Sequence, residues 1–516
     1  LANQGHTSRL FRNNLEMGAR TFTDVTAAAG IDIDGISRVA HFADLDNDGW
    51  LDIVVINDDD GTANASPSRI FQNNGDGTFS DRTAGAGFRP FGYLHCGATL
   101  ADFDRDGLLD IYVTVWVRKG TAPLATFPGE NQLYRNLGDF TFEDVSTQAG
   151  LAGVSIDCFT PIMHDFNADG WPDLFVAVDY AEDLFYWNVA GVFVEASSNT
   201  NTMHTGNDMG AALADFDDDG DLDIYTTNIT DPGVPGFGFP TDGNCLYVNS
   251  SGAEEGASYA DEAANRGVFD TYWGWGVSFI DVENDGNLDI IAANGMDEYV
   301  EFLIPDSQIL DRPTVLFEND GTGAFARNNA PGLAPGEDSR PLVVFDYDRD
   351  GDQDVLIGNL AQPVRLLENT SSPQGHWLDV RLVQGEGGVR DAIGATVSVR
   401  LADVTKRREI LCGGSYLAGV QAEAHFGVGE STVVDELTIR WPDGETVTYS
   451  DVGVDRFLTI SRIPGDCYPD GVVDGRDIEN FVKALLNDVN VDPCDSDMGS
   501  PGDVPQRLQR FIESLL

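Results

Sequence analysis

Short apolar runs alternate with polar clusters along the first 370 residues. Runs such as Ile53–Ile56 are rich in β-branched and aromatic residues, and clusters of Gly, Asn and Asp separate them. Runs of this kind, bounded by turn-forming residues, predict β-strands joined by tight turns. The pattern therefore predicts a mainly β chain.

Two signatures repeat in this region, once in every 50 to 65 residues or so. An Asp-rich frame recurs at Asp44–Asp52, Asp102–Asp110, Asp165–Asp173, Asp215–Asp223, Asp281–Asp289 and Asp346–Asp354. The other is an aromatic residue or Leu followed closely by Asn, and it occurs near Phe11, Phe71, Tyr134, Phe185, Tyr247, Phe317 and Leu367. A repeat of this length with about four short strands is typical of a propeller blade.

The two signatures differ in number. The aromatic–Asn segment near Phe11 precedes every Asp-rich frame, and the one near Leu367 follows them all. We therefore predict a β-propeller over residues 1–370 in which strands from the two ends close a shared blade. Seven blades are favoured, with six as the alternative.

Each Asp-rich frame has the spacing of a calcium loop. Calcium takes six to eight oxygen ligands. Positions 1, 3 and 5 present side-chain oxygens, Gly at position 6 permits a sharp bend, the carbonyl of position 7 adds an oxygen, and Asp at position 9 completes the set. Four carboxylates so close cannot all remain ionised without a cation. Magnesium needs tighter octahedral geometry, and zinc prefers His or Cys, which the loops lack.

We predict about six structural calcium ions in these loops. Asn167 and Glu283 replace the second Asp of the third and fifth loops, and the loss of charge at Asn167 predicts a weaker third site. The predicted ligands are Asp44, Asp46, Asp48, Trp50 and Asp52; Asp102, Asp104, Asp106, Leu108 and Asp110; Asp165, Asn167, Asp169, Trp171 and Asp173; Asp215, Asp217, Asp219, Asp221 and Asp223; Asp281, Glu283, Asp285, Asn287 and Asp289; and Asp346, Asp348, Asp350, Asp352 and Asp354.

The repeated frame resembles the FG-GAP or VCBS repeat of integrin α propellers and many bacterial secreted proteins. This resemblance implies a propeller fold. It says little about function, because such propellers serve adhesion, ligand binding and assembly alike.

Residues 375–462 have a different pattern. They resemble the ASPIC/UnbV domain at Asp391–Ala395, Gly413–Tyr416, His425–Gly429 and Trp441–Gly444. The resemblance implies a small β-sandwich packed beside the propeller, in the domain order of the cartilage acidic protein family, with no established reaction. Ser415 lies in no G-x-S-x-G frame, and His376 and His425 are predicted to be packed or surface histidines.

The tail, residues 464–516, resembles a type I dockerin. Its first segment has the spacing of one more calcium loop, although Tyr468 replaces a ligand, and the second loop is broken by Pro501 and Pro505. The predicted ligands of the tail are Asp466, Asp470, Asp474 and Asp477. The resemblance implies a short helical tail, which in dockerins docks on a cohesin. For this chain, a folded appendage or sorting tail that packs on its own chain is favoured over docking on a cohesin-like partner.

The charge of the chain excludes some partners. It carries 86 Asp and Glu against 30 Lys and Arg, a net charge of −56. Such a chain repels nucleic acid and anionic membrane surfaces, and no apolar run approaches the roughly 20 residues of a membrane span. No signal peptide is visible at Leu1. We favour a secreted mature form, because cytosolic calcium is too scarce to fill weak sites.

The six cysteines permit some disulfide pairing. Cys96 with Cys158 and Cys467 with Cys494 are candidate pairs, and buried free thiols are the alternative for the first pair.

These features favour a secreted, calcium-stabilised, non-enzymatic binding, adhesion or assembly protein. Its ligand is an unknown protein or glycan, and self-association into a homo-oligomer, surface layer or filament is one version of this hypothesis. The alternative is a carbohydrate-binding or carbohydrate-active extracellular protein. That alternative rests on the dockerin-like tail and on aromatic stretches such as Tyr272–Trp275, for which packing in a blade core is the favoured interpretation.

Overall fold

A computed structural model describes most of the chain before the tail. The described residues are 8–33, 35–58, 66–88, 95–116, 130–153, 156–230, 243–250, 256–295, 312–328, 332–333, 337–360, 362–371, 375–385 and 388–462. The dockerin-like tail, with Asp466, Asp470, Asp474 and Asp477, lies outside them, as do Cys467 and Cys494.

Six antiparallel sheets follow one another along the chain, each a meander of consecutive strands. The first contains β3 (Ile36–Ala43), β4 (Asp52–Asp58), β5 (Arg69–Asn73) and β6 (Phe79–Asp81), and the second contains β7 (His95–Ala101), β8 (Asp110–Val115), β9 (Gln132–Asn136) and β10 (Phe142–Asp144). The third contains β11 (Asp157–His164), β12 (Asp173–Glu182), β13 (Leu184–Val189) and β14 (Val192–Glu195), with β15 (Thr205–Asn207) paired to β12.

The remaining three sheets repeat this plan, and the sixth has three strands within the described residues. The fourth contains β16 (Ala211–Ala214), β17 (Asp223–Thr226), β18 (Cys245–Asn249) and β19 (Tyr259–Asp261). The fifth contains β20 (Gly274–Ile280), β21 (Asp289–Asn294), β22 (Val315–Asn319) and β23 (Phe325–Asn328), and the sixth contains β24 (Ser339–Phe345), β25 (Asp354–Asn359) and β26 (Arg365–Leu367). The short helices are α1 (Ser197–Thr200), α2 (Ala263–Arg266) and a 3₁₀ turn (Leu15–Met17).

The second strand of each sheet begins at the last Asp of an Asp-rich loop. The apolar runs that follow are the most buried part of each blade: all seven residues of β4 and all six of β8 are buried. Strands covered on both faces read as continuous apolar runs, which explains why these strands were clear in the sequence. The mainly β propeller fold predicted from the sequence is confirmed.

A two-stranded sheet at the N-terminus lies between the last and the first of these blades. It consists of β1 (Phe11–Asn13) and β2 (Phe22–Asp24). Asn13 donates a hydrogen bond to the Tyr347 carbonyl beside the sixth sheet, and Ala29, just after β2, accepts one from the Phe79 N–H of the first sheet. The pair therefore occupies the place of a seventh blade.

The ends of the propeller thus meet, but in separate sheets. The expectation of a blade shared between them was wrong for the described residues, because β1 pairs with β2 and not with β26. The reason is that β1 corresponds to the third strand of a blade of its own. Asn13 contacts the sixth loop as Asn136 of the second blade contacts the first loop.

The segment after the propeller forms two sheets. One contains β27 (His376–Val383) between β30 (Ala424–Gly429) and β33 (Arg456–Ser461); the other has the order β29 (Val404–Glu409), β28 (Thr396–Leu401), β31 (Val433–Arg440) and β32 (Thr446–Gly453). We call residues 375–462 the cover domain. Its buried core, with Trp441 and Phe426, is continuous with apolar residues of the first two blades such as Val54 and Leu100.

Candidate metal centres

The carboxylates of the Asp-rich loops converge. In four loops, three carboxylates offer oxygen atoms that all lie within 4.8 Å of one another. These groups are Asp44, Asp46 and Asp48; Asp102, Asp104 and Asp110; Asp215, Asp217 and Asp223; and Asp346, Asp348 and Asp354. Clustered carboxylate oxygens are the ligands that calcium prefers.

The Asp at position 1 holds the bend of each loop. One of its oxygens accepts the N–H of the Gly at position 6, at 2.7–3.1 Å across the six loops. In the first loop, the other oxygen of Asp44 accepts the Asp48 N–H at 3.0 Å. The Gly residues have φ of 90–95°, a region that favours glycine. Position 4 also has a positive φ of 55–62° at Asn47, Arg105, Ala168, Asp218, Asn284 and Arg349.

Positions 5 and 7 are joined in the same way in every loop. The N–H of each position-7 residue donates to the side chain of the position-5 Asp at 2.8–3.2 Å. The donors are Trp50, Leu108, Trp171, Asp221, Asn287 and Asp352, and the acceptors are Asp48, Asp106, Asp169, Asp219, Asp285 and Asp350. Six loops therefore share one backbone conformation.

The Asp at position 9 connects the two sequence signatures, a connection that the sequence analysis missed. Its Oδ1 accepts the N–H of the Asn in the aromatic–Asn segment of the same blade at 2.7 or 2.8 Å. The pairs are Asp52 with Asn73, Asp110 with Asn136, Asp173 with Asn188, Asp223 with Asn249, Asp289 with Asn319, and Asp354 with Asn369. The regular alternation of the two signatures along the chain is the sequence feature that could have predicted this hydrogen bond.

The same Asn residues also join neighbouring blades. The side-chain amide of Asn136 donates to the Leu45 carbonyl in the preceding loop at 2.9 Å, and Asn188 donates to Phe103 at 2.8 Å. Asn319, Asn369 and Asn13 make the corresponding contacts with the fourth, fifth and sixth loops. Five of the six loops are thus linked both to their own blade and to the next.

Burial makes the ionised loops unfavourable without a cation. It raises the pKa of Asp44 and Asp52 to about 7, of Asp289 to about 8 and of Asp173 to about 9. Neighbouring carboxylates raise these pKa values further. A divalent cation bound among the oxygens would reverse this effect by favouring the charged form.

The third and fifth loops differ from the others in their partners. Asn167 donates to Asp169 at 3.1 Å, and Arg440 of the cover domain donates to Asp165 at 3.0 Å. In the fifth loop, burial and the nearby Glu318 raise the pKa of Glu283 to about 7. The third loop therefore combines a neutral side chain with a neighbouring cation, and the weaker site predicted there stays a prediction.

The cover domain lies on the face that carries the loops, and it meets them through position 4. Lys406 donates to Asp218 at 2.7 Å, His425 pairs with Asn284 at 2.8 Å, and the Arg390 N–H donates to Asn47 at 3.0 Å. Arg440 donates to the Ala168 carbonyl, and Arg349 stacks on the Phe457 ring. Five of the six position-4 residues thus meet different residues of the cover domain, and Arg105 of the second loop lies over the Trp171 ring instead.

One segment of the cover domain, residues 412–419, enters the centre of the propeller. We call it the plug. The Cys412 carbonyl accepts the Leu100 N–H of the second sheet at 2.8 Å, and the Ser415 N–H donates to Ala211 of the fourth. Ser415 Oγ also accepts the Val277 N–H and donates to the Leu342 carbonyl, in the fifth and sixth sheets.

The rest of the plug contacts the two remaining sheets. The Tyr416 ring packs against Phe159 of the third sheet, with ring centroids 5.5 Å apart. Cys412 Sγ lies 3.8 Å from His41 Nδ1 of the first sheet. The plug therefore contacts the innermost strand of all six sheets. The sequence placed this domain beside the propeller; in the structure one of its segments also enters the channel.

A buried carboxylate fixes the cover domain near the plug. Glu409 at the end of β29 lies 2.6 Å from His164 Nε2 of the third sheet, and it also pairs with Arg407. Thr396 donates to it at 2.8 Å. Although burial opposes ionisation, Arg407 and His164 lower the pKa of Glu409 to about 2.

Other residues singled out in the sequence have packing roles. His376 pairs with Asp455 at the surface, and His425 is buried against Asn284. Trp275 donates its indole N–H to Gly295, and its ring lies against Arg340 and Tyr416. These contacts favour the blade-core interpretation of Tyr272–Trp275.

Of the two possibilities for Cys96 and Cys158, a disulfide or buried free thiols, the structure has the free thiols. Both are buried free thiols, as are Cys245 and Cys412. Cys158 accepts a hydrogen bond from Asn131 at 3.2 Å, and Cys96 packs among apolar residues around Tyr416. The two thiols therefore belong to different packing environments, which explains why similar places in successive repeats gave no pairing.

The arrangement defines a class of protein. A family model of FG-GAP-like repeats matches residues 44–113, 124–176 and 165–226, and a model described as ASPIC and UnbV matches residues 385–465. The chain therefore carries FG-GAP-like repeats followed by an ASPIC/UnbV domain.

The chain is homologous to cartilage acidic protein 1. It is 26% identical to the Homo sapiens protein over 429 residues, which cover 78% of this chain and 60% of the human one. It is 27% identical to the Mus musculus protein over 432 residues, which cover 79% and 61%. The chain thus spans about 60% of the length of these curated relatives.

Among solved structures, the chain is similar to the BP39L lectin from Burkholderia pseudomallei. The two are 12% identical with a TM-score of 0.36, over 82% of this chain and 98% of the lectin. None of the helices in the described part of the chain is long and apolar enough to cross a membrane.

Proposed function

We propose that this protein is a calcium-stabilised, non-enzymatic, extracellular binding scaffold, and that it binds its partner through the propeller face opposite the Asp-rich loops. The observation that carries the proposal is the position of the cover domain. It lies on the loop face and inserts the plug into the channel, so among the described residues the opposite face is the one that no second domain covers.

Calcium is the cation that suits the loops. Six loops share one conformation, and in four of them three carboxylates converge on a common point. Each loop is hydrogen-bonded to the third strand of its own blade, and five contacts link third-strand Asn residues to the preceding loop. A bound ion therefore stabilises the contact between neighbouring blades as well as one turn. Ion binding to the folded state alone stabilises it by mass action.

Thermal melting with and without calcium tests the proposal. We expect the melting temperature at millimolar calcium to exceed that in chelator by more than 10 °C, because several sites contribute together. Magnesium at the same concentration and ionic strength is the control, and it should restore only a small part of the difference. A melting temperature independent of calcium would contradict the calcium part of the proposal.

Two further measurements test the binding role. Incubation with a panel of polysaccharides should release no product, and turnover of any of them would favour the carbohydrate-active alternative. Light scattering at millimolar calcium tests the self-associating version: a mass that grows with protein concentration supports it, and a constant monomer mass removes it.

A further inference from the structure

A second set of metal-binding side chains lies away from the Asp-rich loops. His204 precedes β15, Asp208 follows it, and Cys245 begins β18. Cys245 pairs with Thr226 at the end of β17, whereas β17 starts at Asp223 in the fourth loop. The cluster therefore lies on the face opposite the loops, between the third and fourth sheets.

The three side chains converge on one point. The ligand atoms of His204, Asp208 and Cys245 all lie within 4.8 Å of one another. His204 Nδ1 is 2.9 Å from Asp208 Oδ2. Asp208 and Cys245 are buried, and the His204 side chain is 18% exposed, so the cluster opens to solvent on the histidine side.

Neighbouring residues hold the ligands in place. Thr226 Oγ1 donates to Asp208 Oδ1 at 2.6 Å, and Asn228 donates to Oδ2. Gly206 leaves room for the imidazole, because a Cβ there would lie 2.8 Å from His204 Cε1 and 2.2 Å from the Asn228 amide. Outer contacts of this kind orient metal ligands and are needed for tight binding.

An additional buried carboxylate, Asp183, lies near the cluster. Asp183 accepts the Val178 N–H and the Tyr247 hydroxyl, each at 2.9 Å. In the second and fourth sheets, the neutral amides Asn131 and Asn244 accept the corresponding N–H groups. The third sheet thus places a carboxylate where two other sheets have an amide. Burial and the neighbouring Asp208 raise the pKa of Asp183 well above its usual range.

We propose that His204, Asp208 and Cys245 form a binding site for a divalent transition-metal ion of the zinc class. Zinc takes imidazole nitrogen, thiolate sulfur and carboxylate oxygen in tetrahedral geometry, whereas calcium takes oxygen alone. Three protein ligands leave a fourth position on the solvent side of His204, open to water or to a side chain of a bound partner. A cation in the site would also favour the charged form of the buried Asp183.

Cobalt(II) spectroscopy of the full chain tests this proposal. Cobalt replaces zinc in such sites, and its bond to a thiolate gives a charge-transfer absorption band that oxygen ligands do not give. Millimolar calcium, added first, keeps the Asp-rich loops occupied. We expect the band to saturate at one cobalt per chain and to disappear when zinc is added.

Three variants assign the band to the cluster. C245S should abolish it, and H204A should weaken cobalt binding by about 100-fold or more, since loss of an outer contact alone costs 10–100-fold. C158S is the matched control, because it removes another buried thiol of the propeller, and it should leave the band unchanged.

Several results would overturn the proposal. They are the absence of a thiolate band in the unmodified chain, its persistence in C245S, or equal cobalt affinity in the unmodified chain and H204A. If C245S does not fold in calcium, the partly exposed His204 still decides the question, because its truncation leaves the buried core intact. The thermal test of the calcium loops is independent of all these outcomes.

Discussion

At the scale of single residues, the Asp at position 9 of each loop has two roles. Asp110 accepts the N–H groups of Phe103 and Asn136, so it fixes the loop to the third strand. Burial also raises its pKa well above the usual range. The negative charge is therefore unfavourable in the calcium-free protein and favourable once a cation binds.

The substitution Asp110→Asn should separate these roles. At millimolar calcium, we expect a loss of about 1–3 kcal/mol in the free energy of unfolding. The substitution removes a charged ligand, and it places the Asn NH2 group against a backbone N–H that the Asp oxygen accepts. In chelator, the loss should become smaller, since the buried charge is removed as well. Urea unfolding in both conditions measures the difference.

Asp139→Asn is the control for this change. Asp139 is exposed, and the same loss of one charge there should alter stability by less than about 0.5 kcal/mol in either condition. Equal effects of calcium on Asp110→Asn and on the unmodified chain would show that this loop binds no ion that matters for stability.

At the scale of elements, the sequence predicted what depends on local pattern. The Asp-rich frame and the apolar run behind it placed the second strand of every blade, because turn and strand are adjacent in the chain. The plug was missed. Its contacts join residues far apart in sequence, such as Ser415 with Val277 and Cys412 with His41. The dipeptide Gly413-Gly414 does not indicate which strands the plug contacts.

Gly413 is where the plug comes closest to the propeller. A Cβ there would lie 2.4 Å from Thr99 Oγ1, and φ is +151°. We expect Gly413→Ala to lower the free energy of unfolding by about 1–3 kcal/mol, because overpacking forces the plug away from the second sheet. Chemical unfolding followed by fluorescence measures the loss.

Gly453→Ala is the matched substitution for this test. Gly453 lies in β32 with no atom within 4 Å of a Cβ placed there, so its replacement should be close to neutral. Similar losses for the two variants would mean that the fit of the plug in the channel contributes little to stability.

At the scale of the whole molecule, the loop carboxylates and Glu409 make stability depend on pH in opposite directions. The loop carboxylates have raised pKa values, such as about 7 for Asp44, so calcium-free folding takes up protons and stability falls as the pH rises from about 4 to 7. Glu409 has a lowered pKa of about 2. Its stabilising effect is present above its ordinary pKa of 4.5 and is lost as the pH falls towards 2.

With calcium bound, the loops no longer oppose ionisation, and Glu409 should account for part of the acid unfolding. Glu409→Gln should cost about 3 kcal/mol at pH 7, the equivalent of its lowered pKa, and this deficit should shrink as the pH falls from 4.5 to 2. Glu430→Gln, at an exposed position, removes the same charge and should leave the acid limb unchanged. A deficit that stays constant with pH would mean that Glu409 acts by packing alone. A shrinking deficit would show that the charged form of Glu409, paired with Arg407 of its own domain and with His164 of the propeller, stabilises the fold.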